Sequence, residues 1–401
     1  MNKLLKNVEA SSTLELNQLA KSMASEGKSI VNLTAGEPDF NTPERIQRAA
    51  IQAMKEGKTK YTHTSGIVEL RTAIQSWVKE RYDRVYSLDE ILVCNGGKQA
   101  IFNLCYALLN VGDEVVIPSP SWVSYKSMVE MVGGVAVIVP SGIEMNFEPD
   151  LKAIEAKITP KTKLLILNSP NNPSGAVFSK SFFHNLENLI QKHPQIYILT
   201  DDIYEKFVYD HQEFYSIGMS PRVSKEKLII ASGVSKTYSM TGWRVGYAIG
   251  PKDIISVMAN VQSQTTSNVS SISQWGAYEA LKGSNEQEIQ DFQSLFQDRR
   301  DLAFETISKI KGVKCIRPAG AFYIFPNIEN FLGKISPSGR KIHTDSDLAY
   351  YLLEEYGLAC VPGSAFGLPG YIRFSFVVTF EQWKDGISRF EKGLINLKDK
   401  I

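Results

Sequence analysis

Residues 228–246 read LIIASGVSKTYSMTGWRVG, an apolar run that changes abruptly into small and polar residues around one lysine. The apolar part predicts a buried strand. Lys236 follows it, with Ser235 one residue before and Arg244 eight residues after. An amine that burial can desolvate, beside two groups suited to an anion, suggests condensation with a phosphorylated aldehyde. A solvated loop lysine is also common after a strand, and spacing alone leaves both interpretations open.

The alternation of apolar runs and helix-length segments extends to both sides of this stretch. Short β-branched runs predict strands at residues 91–94, 114–117, 135–139, 163–167, 196–200, 227–231 and 245–249. Segments of helical length lie between several of them, at residues 98–110, 121–132 and 179–192. This order predicts an α/β fold, with a mostly parallel sheet flanked by helices. Ligands of such sheets bind at the carboxyl ends of the strands.

The remaining segments predict a second, smaller domain. Early helices are predicted at residues 42–57, with Thr42 as N-cap and Pro43 at the first helical position, and at residues 66–82. Long helical stretches follow at residues 253–281 and 286–311, separated by a polar break at 283–285, before strands and helices return near the C-terminus. A polar surface loop is predicted at residues 327–345. We therefore expect a large domain at 41–285 and a smaller α+β domain formed by residues 1–40 and 286–401.

Composition limits the partners of the chain. Its 401 residues suffice for two or three domains, and 44 Lys and Arg nearly balance 43 Asp and Glu, so no global field favours nucleic acid or an anionic membrane. The four cysteines and five histidines show no metal spacing, and residues 1–17 resemble neither a signal peptide nor a membrane anchor. These observations predict a cytoplasmic protein that acts on a small molecule without a metal.

Two adjacent glycines, Gly96 and Gly97, follow a predicted strand and open a helix, with Lys98 next in the chain. Backbone N–H groups at a helix N-terminus bind anions, and glycines permit close approach of a phosphate. A tight turn explains the same pair, and Lys98 is equally explained as a charge at the start of a helix. The pattern therefore indicates either an anion site or an ordinary tight turn at the start of a helix.

Other candidates also lie in or beside predicted strands. Asn172 lies in NSPNNPSG at residues 168–175, where flanking prolines present its amide to a ligand, although such a run is also an ordinary turn. Asp201 ends another strand, as either a helix N-cap or a buried anion. Trp122 is a core aromatic or a ligand-stacking one. Arg373, on an apolar strand, requires an anionic partner, and a planar carboxylate suits it.

The runs GVSK at residues 233–236 and GWRVG at 242–246 resemble the pyridoxal-phosphate attachment signature of class I and II aminotransferases. The resemblance covers nearly the whole chain, from AGEPDF at residues 35–40 to PGSAFG at 362–367, and indicates the bacterial aspartate aminotransferase subgroup. It implies the type I fold of pyridoxal-phosphate enzymes, pyridoxal 5′-phosphate as cofactor, and a homodimer.

The resemblance also implies roles for particular residues. The catalytic ones are Lys236, which carries the cofactor and moves a proton, Asp201, which keeps the ring nitrogen charged, and Tyr204, which hydrogen-bonds the ring oxygen. Further cofactor contacts are implied for Gly97, Lys98, Trp122, Asn172, Ser235, Arg244 and Tyr61. Tyr61, otherwise an ordinary loop aromatic, is implied to reach the partner subunit's phosphate. Substrate contacts are implied for Gly36, Lys98, Trp122, Asn172 and Arg373.

Within these contacts, Arg373 and the backbone of Gly36 are implied to bind the α-carboxylate, and Lys98 the distal carboxylate of aspartate. The expected reaction converts L-aspartate and 2-oxoglutarate to oxaloacetate and L-glutamate with ping-pong kinetics. Alternatives are a prephenate or broader aromatic or alanine aminotransferase, a lyase of the same fold, and a non-catalytic binding protein. Gly233 departs from the family pattern, since many relatives carry a phosphate-binding serine at that position.

Overall fold

The computed structural model describes residues 12–283 and 286–399. The expectation of no signal peptide therefore falls largely outside the described residues, as does most of the polar break predicted at 283–285. The strands are β1 Val31–Asn32, β2 Ile91–Cys94, β3 Glu114–Ser119, β4 Val135–Pro140, β5 Thr162–Asn168, β6 Tyr197–Asp201, β7 Leu228–Gly233, β8 Gly246–Ile249, β9 Tyr323–Ile324, β10 Leu358–Ala359, β11 Val361–Pro362 and β12 Ile372–Ser375.

The α-helices alternate with these strands in the first two thirds of the chain. They are α1 Ser12–Ser25, α2 Glu44–Lys55, α3 Val68–Tyr82, α4 Gly97–Leu108, α5 Ser124–Met131, α6 Leu151–Glu155, α7 Lys180–Lys192, α8 Lys252–Thr265, α9 Ser271–Leu281, α10 Glu286–Ser308, α11 Asp345–Tyr356 and α12 Phe380–Ile395. Most predicted bounds lie within a few residues of these.

Strands β2 to β8 form one sheet in the order β2-β8-β7-β6-β5-β3-β4. Neighbours pair in parallel except for β8, which runs antiparallel to both β2 and β7. The predicted α/β fold with a mostly parallel sheet is therefore confirmed. Strands β2 and β7 are buried along their whole length, and β5 and β6 at all but one residue each, which is why these strands show continuous apolar runs rather than alternation. In register, β5 ends at Asn168 beside Asp201 of β6, so several polar side chains meet at one edge.

Hydrophobic side chains cover both faces of this sheet and fill a separate cluster. The separate cluster joins the two ends of the chain, since Leu16 and Leu33 pack with Phe296, Leu352 and Phe374. Short strands support it, with β1 pairing β10 and β12 lying between β11 and β9. The N-terminal segment is thus held against the C-terminal region and passes the edge of the large sheet.

Three local predictions are wrong. Thr42 does not cap a helix: α2 begins at Glu44 without a side-chain cap, because the Thr42 hydroxyl bonds Ser239, far along the chain. The helix predicted at 253–281 is two helices, interrupted where Ser267 adopts a φ of 60°. The loop predicted at 327–345 is not wholly at the surface, since it buries Phe331 and Ile342 in the cluster that joins the chain ends.

No helix within residues 12–283 or 286–399 is long and apolar enough to cross a membrane.

Candidate active site

A cavity of about 410 Å³ opens at the carboxyl edge of the large sheet. The predicted site residues that line it are Gly36, Gly97, Lys98, Trp122, Asn172, Asp201, Tyr204, Ser235, Lys236, Arg244 and Arg373. They come from separate segments of the chain, and only folding brings them together. Tyr61 does not line the cavity, and 91% of its surface is exposed.

Lys236 lies just beyond the end of β7, and its amine donates a hydrogen bond to the carbonyl of Gly36. Burial lowers the pKa of this amine to about 8, an effect that nearby Glu37 opposes and Arg244 reinforces. A lower pKa increases the neutral, nucleophilic fraction of a lysine near neutral pH. The position and protonation of Lys236 therefore suit condensation with a carbonyl compound and proton transfer.

Asp201 ends β6, and turns rather than an α-helix follow it, so the helix-cap interpretation does not apply. Burial raises the pKa of its carboxyl group to about 6, while a 2.6 Å hydrogen bond from the Tyr125 hydroxyl and the charge of Lys236 act in the opposite direction. At neutral pH this carboxylate is mostly ionised. It can therefore hold a cationic ring nitrogen.

The next residue, Asp202, does not line the cavity. Its carboxylate accepts hydrogen bonds from the hydroxyls of Tyr82, Thr200 and Ser216 at 2.7 to 2.8 Å. Burial raises the pKa of Asp202 to about 7. The structure thus separates two adjacent carboxylates, one toward the cavity and one into a hydroxyl cage.

Arg373 on β12 is buried and forms one end of the cavity. Its guanidinium donates to the Asn172 side-chain oxygen at 3.1 Å and to the Thr34 carbonyl at 2.7 Å. The rings of Tyr323 and Phe366 lie 4.6 and 5.0 Å from its central carbon. Its Nε atom has no hydrogen-bond partner among the described residues. A buried cation whose hydrogen-bond partners within 12–283 and 286–399 are neutral oxygens is suited to a ligand carboxylate.

The other end of the cavity is formed by the start of α4 and by Arg244. Among the described residues, no side chain caps this helix, whose first residues are Gly97 and Lys98, so backbone N–H groups remain available to an anion. A Cβ atom at Gly96 would lie 2.4 Å from Arg244 Nη2, and one at Gly246 would lie 2.3 Å from the Gly97 nitrogen. The helix start therefore leaves no room for a side chain at Gly246, and a side chain at Gly96 would displace the Arg244 guanidinium.

Gly233 belongs to the same packing. A Cβ atom there would lie 2.9 Å from the Cα of Gly246 and 3.0 Å from the Val245 carbonyl oxygen. A serine at this position would therefore force the backbones of β7 and β8 to move apart. The departure from the family pattern has a steric reason in this chain, and Ser235 with Arg244 remains at the anion end of the cavity.

Trp122 and Lys98 lie together at the cavity. The Lys98 amine is 5.0 Å from the centre of the Trp122 ring, and the Trp122 ring meets that of Tyr125 edge to face. Burial and the charge of Arg244 lower the pKa of Lys98. Lys98 thus lines the cavity as a basic side chain in addition to Arg244 and Arg373.

Two tyrosines of the site were missed by sequence reasoning. Tyr125 bonds Asp201, and the hydroxyl of Tyr323 lies 2.9 Å from that of Tyr204. Both tyrosines lie on segments that the sequence predicts to be buried, and a buried tyrosine requires a hydrogen-bond partner for its hydroxyl. Without the fold, however, the sequence did not indicate which partner that was.

The model of the aminotransferase class I and II family matches residues 28–390 of the chain. The chain is 44% identical to a probable aspartate/prephenate aminotransferase of Rickettsia bellii, over 97% of each chain. Its structure is similar to the aspartate aminotransferase of Rhizobium meliloti, with a TM-score of 0.95, 41% identity and 99% of each chain covered. It is also similar to the Thermus thermophilus aspartate aminotransferase with maleate, with a TM-score of 0.90, 39% identity and coverage of 98% and 99%.

Proposed function

The chain belongs to the class I and II aminotransferases, and from this premise we propose that it transfers the amino group of L-aspartate to 2-oxoglutarate with pyridoxal 5′-phosphate as cofactor. The observation that carries the choice of substrate is a pair of cationic side chains, Arg373 and Lys98, in the cavity that also holds Lys236. A dicarboxylic amino acid presents one carboxylate to each cation. Relatives named aspartate or aspartate/prephenate aminotransferase support the same choice.

The cavity fits the proposed cofactor. The uncapped start of α4, Ser235 and Arg244 form an anion end for the phosphate. Asp201 supplies a carboxylate for the ring nitrogen, Tyr204 and Asn172 supply polar groups for the ring oxygen, and Trp122 supplies an aromatic face. Lys236 is the proposed attachment site. The chemistry that pyridoxal 5′-phosphate supplies when bound is withdrawal of electrons from the substrate Cα.

Residues of the chain would bind and orient the substrate and move its proton. Arg373 binds and orients the α-carboxylate, so that the Cα–H bond faces the Lys236 amine. Lys236 Nζ, whose pKa is lowered to about 8 in the cofactor-free protein, would accept the Cα proton and hold it for return. Asp201 remains ionised at neutral pH and retains the proton of the ring nitrogen. Water would release the keto acid while the amino group is retained in the site, and a second keto acid would then accept that amino group with loss of water as the same residues act in reverse order.

We further propose a homodimer in which Tyr61 contacts the partner subunit's cofactor phosphate, with domains at 41–285 and at 1–40 plus 286–401. The high exposure of Tyr61 in a single chain supports a role at an interface. Prephenate is a second candidate acceptor, because the name of the Rickettsia bellii relative includes it.

Attachment is tested by borohydride reduction of the holoenzyme followed by peptide mapping. Label on Lys236 is the expected result, and label on another lysine overturns the assignment. A donor panel with 2-oxoglutarate tests the substrate, with aspartate expected to exceed alanine and aromatic amino acids. Release of pyruvate and ammonia without a keto acid indicates a lyase instead.

The role of Lys98 is tested by Lys98→Gln. Loss of the charge should lower kcat/KM for aspartate about 10- to 100-fold, since a charge-assisted hydrogen bond is lost. The same variant should change kcat/KM for alanine much less, because alanine has no distal carboxylate. An equal loss for both donors contradicts the assignment.

A further inference from the structure

The turn between Lys236 and Arg244 contains two non-glycine residues in the left-handed backbone region. Ser239 has a φ of 51° and Arg244 a φ of 56°. Such residues keep this conformation only where surrounding contacts hold it. The turn carries both the proposed attachment lysine and the proposed phosphate-binding arginine, so these contacts bear on both ends of the cofactor.

The Arg244 guanidinium donates to the Thr241 carbonyl at 2.9 Å and to the Asn95 carbonyl at 3.3 Å. The residues before it in the turn are held by the N-terminal segment that passes the sheet edge. The Ser239 hydroxyl donates to the Phe40 carbonyl, and the Thr241 hydroxyl donates to Glu37 at 2.7 Å. Thr42 makes two further bonds through one oxygen atom. Its hydroxyl donates to the Ser239 carbonyl at 2.7 Å and accepts from the Trp243 indole at 2.9 Å.

Trp243 has little freedom to move. A Cβ atom at Gly276 of α9 would lie 2.6 Å from the indole ring, so the ring is packed directly on the helix backbone. Its N–H group therefore points at a fixed place, where the Thr42 hydroxyl accepts it. Thr42 thus joins Ser239 to the residue that immediately precedes Arg244.

We propose that Thr42 is a positioning residue for the cofactor phosphate. By fixing Ser239 and Trp243, it keeps the Arg244 side chain against Gly96, at the anion end of the cavity. Thr42 does not line the cavity, so it acts through Arg244 rather than by contact. The inference rests on the proposed function, because it takes Arg244 as the residue that faces the phosphate.

The test is Thr42→Val, which removes the hydroxyl and keeps the β-branched shape. Dissociation constants for pyridoxal 5′-phosphate and for pyridoxal, which lacks the phosphate, are measured for wild type and variant. We expect affinity for the phosphorylated compound to fall about tenfold and affinity for pyridoxal to fall less than twofold. The ³¹P chemical shift of the bound cofactor should also change. Thr42→Ser, which keeps the hydroxyl, should restore both values.

Thr306→Val is a matched control elsewhere in the chain. The Trp383 indole donates to the Thr306 hydroxyl at 2.9 Å, and this hydroxyl donates to the Leu302 carbonyl at 2.7 Å. Loss of this relay should lower the thermal midpoint about as much as Thr42→Val does, with both dissociation constants unchanged.

An equal loss for both compounds in Thr42→Val, or a loss of phosphate affinity in Thr306→Val, overturns the role of Thr42. If wild type itself does not prefer the phosphorylated compound, the proposed cofactor site fails instead. The two failures are therefore distinguishable.

Discussion

The two ends of the cavity are built differently. At the anion end, the start of α4 and Arg244 supply backbone N–H groups and a side chain exposed in the single chain, and glycines provide the space. At the other end, Arg373 is buried, and its partners Asn172, Thr34 and Tyr323 come from three other segments. The first end depends on backbone shape, and the second depends on a desolvated charge. Substitution of Gly96 at the anion end should therefore change cofactor affinity, and substitution of Arg373 should change substrate affinity.

The largest effect is expected at the buried end, from Arg373→Lys. A lysine cannot reproduce the planar, two-point binding of a carboxylate, so KM for aspartate should rise about 100-fold or more, roughly 3 kcal/mol. The dissociation constant of the cofactor should remain within a few-fold. Arg300→Lys, a change at a buried arginine that bonds Asp210, should lower thermal stability without the rise in KM. Weaker cofactor binding by Arg373→Lys, with KM for aspartate unchanged, would contradict the assignment of Arg373 to the substrate.

Asp201→Asn should alter the pH dependence of stability in the cofactor-free protein. Because the folded-state pKa of Asp201 is raised from 3.8 to about 6, its contribution to stability is fully present below pH 3.8 and is lost as the pH rises through about 6. This difference between the unfolded-state and folded-state pKa of Asp201 corresponds to about 3 kcal/mol of folding free energy. Denaturant unfolding between pH 4 and 7 should therefore show the asparagine variant gaining stability relative to wild type. A constant difference would show that Asp201 does not titrate in this range.

A smaller effect is expected at the anion end, from Gly96→Ala. The new methyl group meets Arg244 and strains a backbone with a φ of 82°, so affinity for pyridoxal 5′-phosphate should fall about tenfold, or roughly 1 to 2 kcal/mol. KM for aspartate at saturating cofactor should change little. Gly112→Ala is the matched control, since its φ is 87° and no atom lies within 4 Å of the added Cβ. Equal loss of cofactor affinity in both variants would assign the effect to backbone strain alone.

The smallest effect is expected from Tyr61→Phe. Because Tyr61 is almost fully exposed in the single chain, the substitution should change the free energy of unfolding of the protein by less than about 0.5 kcal/mol. Cofactor affinity should fall about threefold through loss of one hydrogen bond across the dimer interface. Titration by absorbance measures this, with Tyr106→Phe, another exposed tyrosine, as control. Unchanged affinity would remove Tyr61 from the phosphate site.

Much of the fold was predictable because buried parallel strands leave long apolar runs, as in 162–168 and 228–233. The errors arose where local rules compete with distant partners. Thr42 has a favourable cap position by sequence, yet its hydroxyl bonds Ser239 and Trp243. Similarly, no periodicity indicated that Ser267 would divide a long helical pattern into α8 and α9.

The sequence by itself determined the alternation of strands and helices, and with it the placement of Asp201 and Lys236 at the carboxyl edge of the sheet. Local periodicity is sufficient for this, since each strand end is specified within a few residues. Only the tertiary structure decided that Tyr125 bonds Asp201, that Tyr323 bonds Tyr204, and that Thr42 supports the turn before Arg244. These bonds join residues far apart in the chain, and their geometry depends on how the hydrophobic clusters pack together, which no local pattern records.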